Sequence, residues 1–321
     1  MTSRSQPEAP WLSVAMPVHQ GERWLPFTLE SLAAQDCTGV ELIILDSTPG
    51  DACTQIVSRF ADRLNIRYEH VPEVTSWPAK TNLAVERASA AHVAMLHQDD
   101  LWEPQRTAAA REAIIAAPDA ALLLNPSRIV DEHGRRLGLW RCPLPADQLL
   151  DGRWVAERLL VQNFVAIPAP IISRRAWLDC GGMDEALWYT ADWDLYLKLL
   201  ARGAVFYTNT PSTAFRVHGS SLTVSGSRER PDFRHQMQQV FDRHSHLVPA
   251  SELPRIRRRA SASIAVNCAL AQASAGSAGA LLRAIGEVLS LGPAQAFAYT
   301  RDSRVIERAL PRLRARLAGS F

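Results

Sequence analysis

The sequence predicts an α/β protein built on a mostly parallel, doubly wound sheet, with a helical extension at its C-terminus. Three observations carry this. Continuous apolar runs alternate with helix-periodic segments through the N-terminal third, two of those runs stop abruptly at aspartate, and the pattern is helical from about Pro231 to the end. Alternation of strand and helix at this spacing is the mark of βαβ units, and a strand apolar throughout is one covered on both faces.

Taken in order, residues 1–10 are polar with two prolines and are expected to be disordered. Leu12–Val18 reads as a buried strand, and residues 24–35 as a helix with Leu25, Leu29 and Leu32 on one face. Val40–Leu45 is a second strand, ending at Asp46 and the turn-rich Ser47-Thr48-Pro49-Gly50-Asp51. A helix over 52–64, a short strand over 66–70 and a helix over 80–90 precede the strand Val93–Leu96, which runs into His97-Gln98-Asp99-Asp100. Further on, 102–117 reads as helix, 120–124 and 127–130 as strands, 131–134 as a hairpin turn and 148–162 as helix. Two prolines keep Ile167–Ser173 extended. Short helices over 174–180 and 192–201 are stopped by Gly181-Gly182 and Gly203, and strands over 205–208 and 213–217 follow. The C-terminal helices are expected to break at 274–277, at Gly292-Pro293 and at Pro311. This divides the chain into an α/β domain over 11–225 and a helical region over 226–321.

At 321 residues and 47% hydrophobic, the chain has the composition of a globular protein with a sizeable core. Five scattered cysteines without a CxxC pair argue for reduced thiols, and no export-signal pattern or long uncharged apolar run is present; a cytoplasmic protein is expected. The net charge of +2 conceals an asymmetry, because residues 251–321 carry eleven arginines against four acids, +7, which leaves −5 for the rest. The basic tail, with Arg255–Arg259 and Arg304–Arg316 interleaved with Leu and Ile, reads either as an amphipathic contact with anionic membrane at the inner face of the plasma membrane or as helices packed on the body with a solvated basic face. Nucleic-acid binding is not expected, since aromatics do not interleave with the basic runs. Neither GxGxxG nor GxxxxGK[ST] occurs, which argues against dehydrogenase and P-loop chemistry. A nucleotidyltransferase would want a glycine-rich loop after the first strand, and Pro17–Arg23 has one glycine.

In doubly wound sheets ligands collect at the carboxyl ends of the strands, where Asp46 and Asp99 both lie. Pro17-Val18-His19, Asp46, Lys80-Thr81-Asn82, Leu96–Asp100, Gly181–Glu185, Ala191–Leu195 and His218 follow one another in an order and spacing that resembles family 2 glycosyltransferases with the GT-A fold. The resemblance spans about Leu12 to Thr223. It implies an inverting enzyme that moves a sugar from a nucleotide-diphosphate donor, UDP-linked by expectation, to a hydroxyl on a glycan or lipid-linked acceptor, in surface-polysaccharide or glycoconjugate synthesis, with Mn²⁺ or Mg²⁺ as cofactor. The alternative is a non-catalytic sugar-nucleotide or glycan-binding relative.

The resemblance also assigns residues. Pro17, His19, Asp46, Lys80, Asn82, His97 and Gln98 would bind the donor, with Asp46 accepting from a base N–H and Lys80 and Asn82 at a helix start beside the diphosphate. An Asx-turn or N-cap for Asp46 and a solvated Lys80 are the plain structural readings. Asp99 would hold the metal with His218. His97 stands where the family commonly has the first acid of Asp-x-Asp, and Ala191 where it often has Glu, so two departures bear on metal affinity and on the base motif. Asp100 reads as an N-cap more than as a ligand. Asp192 would be the base that takes the acceptor's proton, while Asp194, on another helix face, would cap or form salt bridges. Trp102, Trp188 and Trp193 are candidates for stacking on an acceptor sugar, or for core packing.

Overall fold

The computed structural model describes residues 9–221, 232–274 and 277–317. Most of the N-terminal segment expected to be disordered, and the expected boundary at 225/226, lie outside the described residues.

The parallel half forms as its apolar runs dictate. β1 (Leu12–Val18), α1 (Leu25–Ala33), β2 (Val40–Asp46), α2 (Ala52–Ser58), β3 (Asn65–His70), α3 (Trp77–Arg87) and β4 (His92–Met95) follow in order. Every residue of β1 is buried, as suits a strand covered on both faces, whereas β3 has only exposed and half-buried positions, as suits a sheet edge. β1 pairs in parallel with β2 and β4, in a register that sets Val18 beside Asp46 and Ala15 beside Met95. The chain therefore leaves β1, β2 and β4 at one rim. α3 starts three residues earlier than its apolar pattern indicated, because the Ser76 hydroxyl accepts from the Ala79 N–H and Pro78 sits in the first turn, where its missing N–H costs nothing.

The second half departs from the strictly parallel plan. β5 (Leu101–Trp102), α4 (Arg106–Ala116), β6 (Leu122–Leu124), β7 (Ser127–Val130), β8 (Arg136–Trp140), β9 (Gln148–Leu150), α5 (Gly152–Leu159), β10 (Ile171–Ser173), α6 (Arg174–Asp179), α7 (Ala191–Leu200), β11 (Val205–Tyr207) and β12 (Thr213–Arg216) complete two sheets. The main sheet runs β3-β2-β1-β4-β10-β6-β11-β9, with β10 antiparallel to both its neighbours, and the smaller sheet runs β5-β12-β7-β8. The helix expected over 148–162 is in fact a strand and a shorter helix. β9 pairs with β11, then the Asp151 carboxylate accepts from the Trp154 N–H at 2.9 Å and starts α5. Gly152 must be glycine there, because a Cβ would sit 2.2 Å from the Leu200 carbonyl oxygen.

α8 (Phe233–His244), a 3₁₀ turn (Ser245–Leu247), α9 (Leu253–Ser274), α10 (Ala278–Leu289), α11 (Pro293–Ser303) and α12 (Val305–Leu317) follow. Val240, Phe241, Ile256, Ile264 and Tyr299 share one apolar core with Leu195–Leu200 of α7 and with Val205 and Tyr207 of β11. Breaks fall near 274–277 and at Gly292, as expected, but not at Pro311, which lies inside α12. The last break is Arg304, in the left-handed region at φ 51°. Pro311 is accommodated by β8, where Gly138 leaves its ring room: a Cβ on Gly138 would come within 2.6 Å of Pro311 Cγ.

Candidate active site

A cavity of about 1410 Å³ opens where β1 and β4 end, walled on the far side by α7 and by the C-terminal helices. Pro17, His19, Lys80, His97, Gln98, Asp99, Asp192, Trp188, Trp193 and His218 all line it. Asp46, Asn82 and Trp102 do not.

The rim is built by side chains that tie loop to loop. Gln98 accepts from the His19 N–H (2.7 Å) and donates to the His19 carbonyl (2.9 Å), clamping the end of β1 to the loop after β4. Lys80 is only 1% exposed, so it is not the solvated lysine of the plain reading. Its ammonium donates to the Val18 carbonyl (2.6 Å) and Ser47 Oγ (2.8 Å), pinning β1 to the loop after β2. Burial lowers its pKa to about 8 against a raising influence of Asp46, so it remains charged at neutral pH beneath the rim. Asp46 itself is buried and occupied, accepting from the Thr48 N–H (2.7 Å) and the Tyr68 hydroxyl (2.8 Å). The first of these bonds is an Asx-turn.

Asn82 is likewise occupied. Its amide donates to the Met183 carbonyl (2.9 Å) and its oxygen accepts from the Met183 N–H (2.9 Å), which explains why the Lys80–Asn82 and Gly181–Glu185 motifs occur together. Gly182, at φ +67°, has no space for a side chain, since a Cβ would meet Asn82 Oδ1 at 2.6 Å. Trp102 packs in the core with α1 and α4, because β5 places it on the inner face of the small sheet. Trp193 lines the cavity but is 4% exposed, with its indole N–H bound to the Leu159 carbonyl at 2.9 Å. Trp188 is the more accessible of the cavity's two expected tryptophans, and its indole N–H reaches the Asp232 carboxylate at 3.0 Å.

The two adjacent acids after β4 have separate fates. Asp99 Oδ2 meets His218 Nε2 at 2.9 Å, and His218 Nδ1 meets Ser220 Oγ at 2.9 Å. Burial would raise the Asp99 pKa, but the hydrogen bond with His218 leads the opposing influences and Asp99 is held low. Asp100 is 1% exposed and caps no helix; it accepts from the Arg216 N–H at 3.0 Å. Burial first, and the Asp99 charge second, push it well above the ordinary carboxylate range. The Arg216 guanidinium binds the Asp99 carbonyl (2.8 Å) and the carbonyls of Asp131 and Glu132, fixing the turn on which the pair sits. His97 keeps Nε2 buried without a partner, packs edge-on against Trp77 at 5.1 Å, and is held neutral by burial.

Across the cavity, Asp192 opens α7. Its Oδ1 accepts from the Trp193 N–H at 2.7 Å and its Oδ2 from the Asn163 amide at 3.0 Å. Burial raises its pKa to about 6 in spite of those donors. Each oxygen retains a lone pair for a further donor. Asn163 was not expected from the sequence; it lies in the irregular stretch between α5 and β10, and no motif marks it. Asp194, 200° round the helix from Asp192 at the ideal pitch, faces inward and pairs with Lys198, Arg243 and His244, each at 2.8 Å. Those partners hold it at about 2 against burial, which acts the other way.

Among the described residues no three His, Cys, Asp or Glu side chains gather as a cation cage. Asp99 and His218 offer one carboxylate oxygen and one imidazole nitrogen. Such a donor set fits a divalent cation only if a ligand supplies further oxygens, as is usual for Mg²⁺ bound with phosphates.

Residues 13–159 match the family model described as glycosyl transferase family 2, a stretch that ends just short of half the chain and contains β1 through α5. Over that stretch the chain is similar to glycosyl transferase family 2. An uncharacterized glycosyltransferase of Rickettsia typhi is 21% identical over 232 residues, 70% of each chain. The fold resembles Staphylococcus aureus TarS 1–349 with a TM-score of 0.62 at 17% identity, covering 96% of this chain and 91% of that one. The same TarS fragment in complex with UDP-GlcNAc gives 0.53 at 17% identity, over 90% and 89%. The mannosyltransferase PcManGT from Pyrobaculum calidifontis, in complex with GDP-Man and Mn²⁺, gives 0.54 at 18% identity, over 95% and 88%. The fold is therefore the GT-A arrangement, a mixed α/β sheet with helices following.

Proposed function

We propose that this family 2 glycosyltransferase moves a sugar from a nucleotide-diphosphate donor, UDP-linked, to a hydroxyl acceptor with inversion, in surface-polysaccharide or glycoconjugate synthesis. The observation that carries the reading is that Asp99 with His218, and an Asn163-held Asp192, line one cavity. In support, TarS 1–349 binds UDP-GlcNAc and PcManGT binds GDP-Man with Mn²⁺.

In this reading the donor lies along the rim of Pro17, His19, Gln98 and His97, over the buried Lys80 charge. Asp46 and Asn82 shape that rim from behind; neither reaches the cavity. His97, neutral and with a free Nε2, is placed to hydrogen-bond a donor hydroxyl. Asp99 and His218 would hold Mn²⁺ or Mg²⁺, which when bound supplies charge for the departing diphosphate. Asp192, with a pKa of about 6, is ionised at neutral pH yet basic enough to take the acceptor's proton as the hydroxyl attacks. Trp188 offers a face for the acceptor sugar.

The test is nucleoside diphosphate release from a panel of nucleotide sugars, with Mn²⁺, Mg²⁺ or EDTA. Turnover is expected with a UDP-sugar and a cation and not in EDTA. Asp99→Asn should raise the Mn²⁺ concentration for half-activation on the order of 10–100-fold, the scale on which lost support weakens a metal site. Donor binding without turnover under any condition would instead favour a non-catalytic relative.

The reading includes a place for the enzyme on the cytoplasmic face of an anionic membrane. No described helix is long and apolar enough to cross a bilayer. α10, however, leaves Leu282 and Leu289 about 70% exposed beside Leu281 and Ile285, on a tail of net charge +7. Such a face partitions into a headgroup region and is drawn there by anionic lipid. Co-sedimentation with vesicles rich in phosphatidylglycerol is expected, weaker with neutral phosphatidylcholine and lost in Leu282→Glu/Leu289→Glu. Equal recovery with both lipids, or none with either, rules the contact out.

A further inference from the structure

α12 buries arginines and exposes leucines. Arg308 is 8% exposed and Arg312 partly buried, while Ile306, Leu310 and Leu313 are 52%, 45% and 47% exposed. A helix packed only for stability does the reverse. The expected reading of Arg304–Arg316 as an outward basic face is thus wrong for its central residues.

Both guanidiniums sit 5.4 Å from the Trp140 ring, and Arg312 is also 5.9 Å from Phe215. Arg308 donates to the carbonyls of Asn163 (3.1 Å) and Ser303 (3.4 Å) and keeps its Nε buried without a partner. Arg312 donates to the Arg308 carbonyl at 2.9 Å. The acid on their own helix, Glu307, is taken by Arg141 and Arg304, and no carboxylate among the described residues pairs with Arg308 or Arg312. Burial lowers the pKa of both, Arg312 to about 10, with the Arg308 charge adding to the effect there. Two guanidiniums side by side, poorly hydrated and without a counter-ion, are costly, and stacking on one indole offsets only part of that. An oxyanion held in their forks would complete the site.

Position says which ligand would bring it. Both arginines line the same cavity as Asp192, and Arg308 binds the carbonyl of the very asparagine whose amide holds Asp192. Through Asn163 they stand closest in contact to Asp192, the base of the proposed reaction. The cavity, about 1410 Å³, also exceeds the roughly 300–1,000 Å³ of a site for one small ligand. We propose that the acceptor is anionic, carrying a phosphate or carboxylate near its attacking hydroxyl, and that Arg308 and Arg312 bind that group. This rests on the transferase reading, which makes Asp192 the base.

The test is calorimetric titration of the full chain, saturated with UDP and Mn²⁺ so that the donor side is filled, with glucose, glucuronic acid and glucose 1-phosphate. At least one anionic sugar is expected to bind on the order of 10–100-fold tighter than glucose, the value of a hydrogen bond to a charged group. Preference for glucose 1-phosphate alone identifies a phosphate, and for glucuronic acid alone a carboxylate. Arg308→Gln and Arg312→Gln should each abolish the preference, and Arg301→Gln, at an exposed position on α11, should retain it. Arg312 is the more open position, so its variant stands as the decisive one if Arg308→Gln does not fold. Equal affinity for the three sugars, including none measurable, or a preference that survives both substitutions, overturns the proposal. Binding is read without turnover, so failure of donor hydrolysis would sink the transferase reading separately.

Discussion

Asp192→Asn is expected to lower sugar transfer by ~10²-fold or more, the usual loss when a positioned general base is removed. Asparagine keeps the shape and the Trp193 N–H contact, and its side-chain oxygen still accepts a hydrogen bond, so α7 keeps its start. What disappears is the ability to take a proton. The loss should therefore fall on kcat, with the KM for the donor little changed, because Asp192 is proposed to act on the acceptor's proton. The pH profile gives a second reading of the same residue. The acid form of Asp192 cannot act as a base, and burial sets its pKa at about 6. Wild-type kcat/KM should thus be flat above pH 7 and fall about tenfold for each pH unit well below 6. Asn163→Ala removes one donor to the carboxylate, a contact that lowers the Asp192 pKa, so the acid limb should move to higher pH. A flat profile through pH 6, or full activity in Asp192→Asn, removes this residue from the chemistry.

How far the sequence could lead is visible in where these groups sit. β1, β2 and β4 are apolar runs long enough to have a pattern, and the aspartates that end the second and third of them point to one rim by the rule for doubly wound sheets. That rule reached Asp99, and the family resemblance pointed to His218 and Asp192; all three line the cavity. It failed where a residue's direction, not its neighbourhood, decided its role. Asp46, Asn82 and Trp102 lie close to the expected places but point into a turn, a loop clamp and the core respectively. Strands of two or three residues such as β5 and β9 are too short to show a period, and β9 was absorbed into the helix after it. Asn163 sits in an irregular segment with no signature. Arg308 and Arg312 were indistinguishable from a solvated basic stripe, since burial of arginine depends on Trp140 and Asn163, far away in sequence.

Asp194→Asn is expected to act on stability where Asp192→Asn acts on rate, although only one residue separates them. Asp194 is fully buried and binds three cationic or potentially cationic groups, of which Lys198 lies on its own helix and Arg243 and His244 lie on α8. Removing one member of a buried ion pair costs about 3–5 kcal/mol, because the partners are left desolvated. Here Lys198 and Arg243 are partly exposed, at 22% and 34%, so the lower end, about 3 kcal/mol, applies. Urea unfolding should show that loss with an unchanged m-value. The sign of the pH dependence follows from the depressed pKa of about 2, against an ordinary 3.8. The network contributes fully above pH ~4 and is lost as pH falls through ~4 toward ~2, where the carboxylate is protonated in both states. In Asp194→Asn that part of the acid sensitivity should vanish. Because α7 carries Asp192 in its first turn and Asp194 ties α7 to α8, some fall in kcat is expected as well, recoverable by conditions that restore the fold, such as osmolyte, whereas the Asp192→Asn defect is not. A variant as stable as wild type would mean that α8 is held by its apolar contacts alone, and that Asp194 is a spectator to the placement of the base.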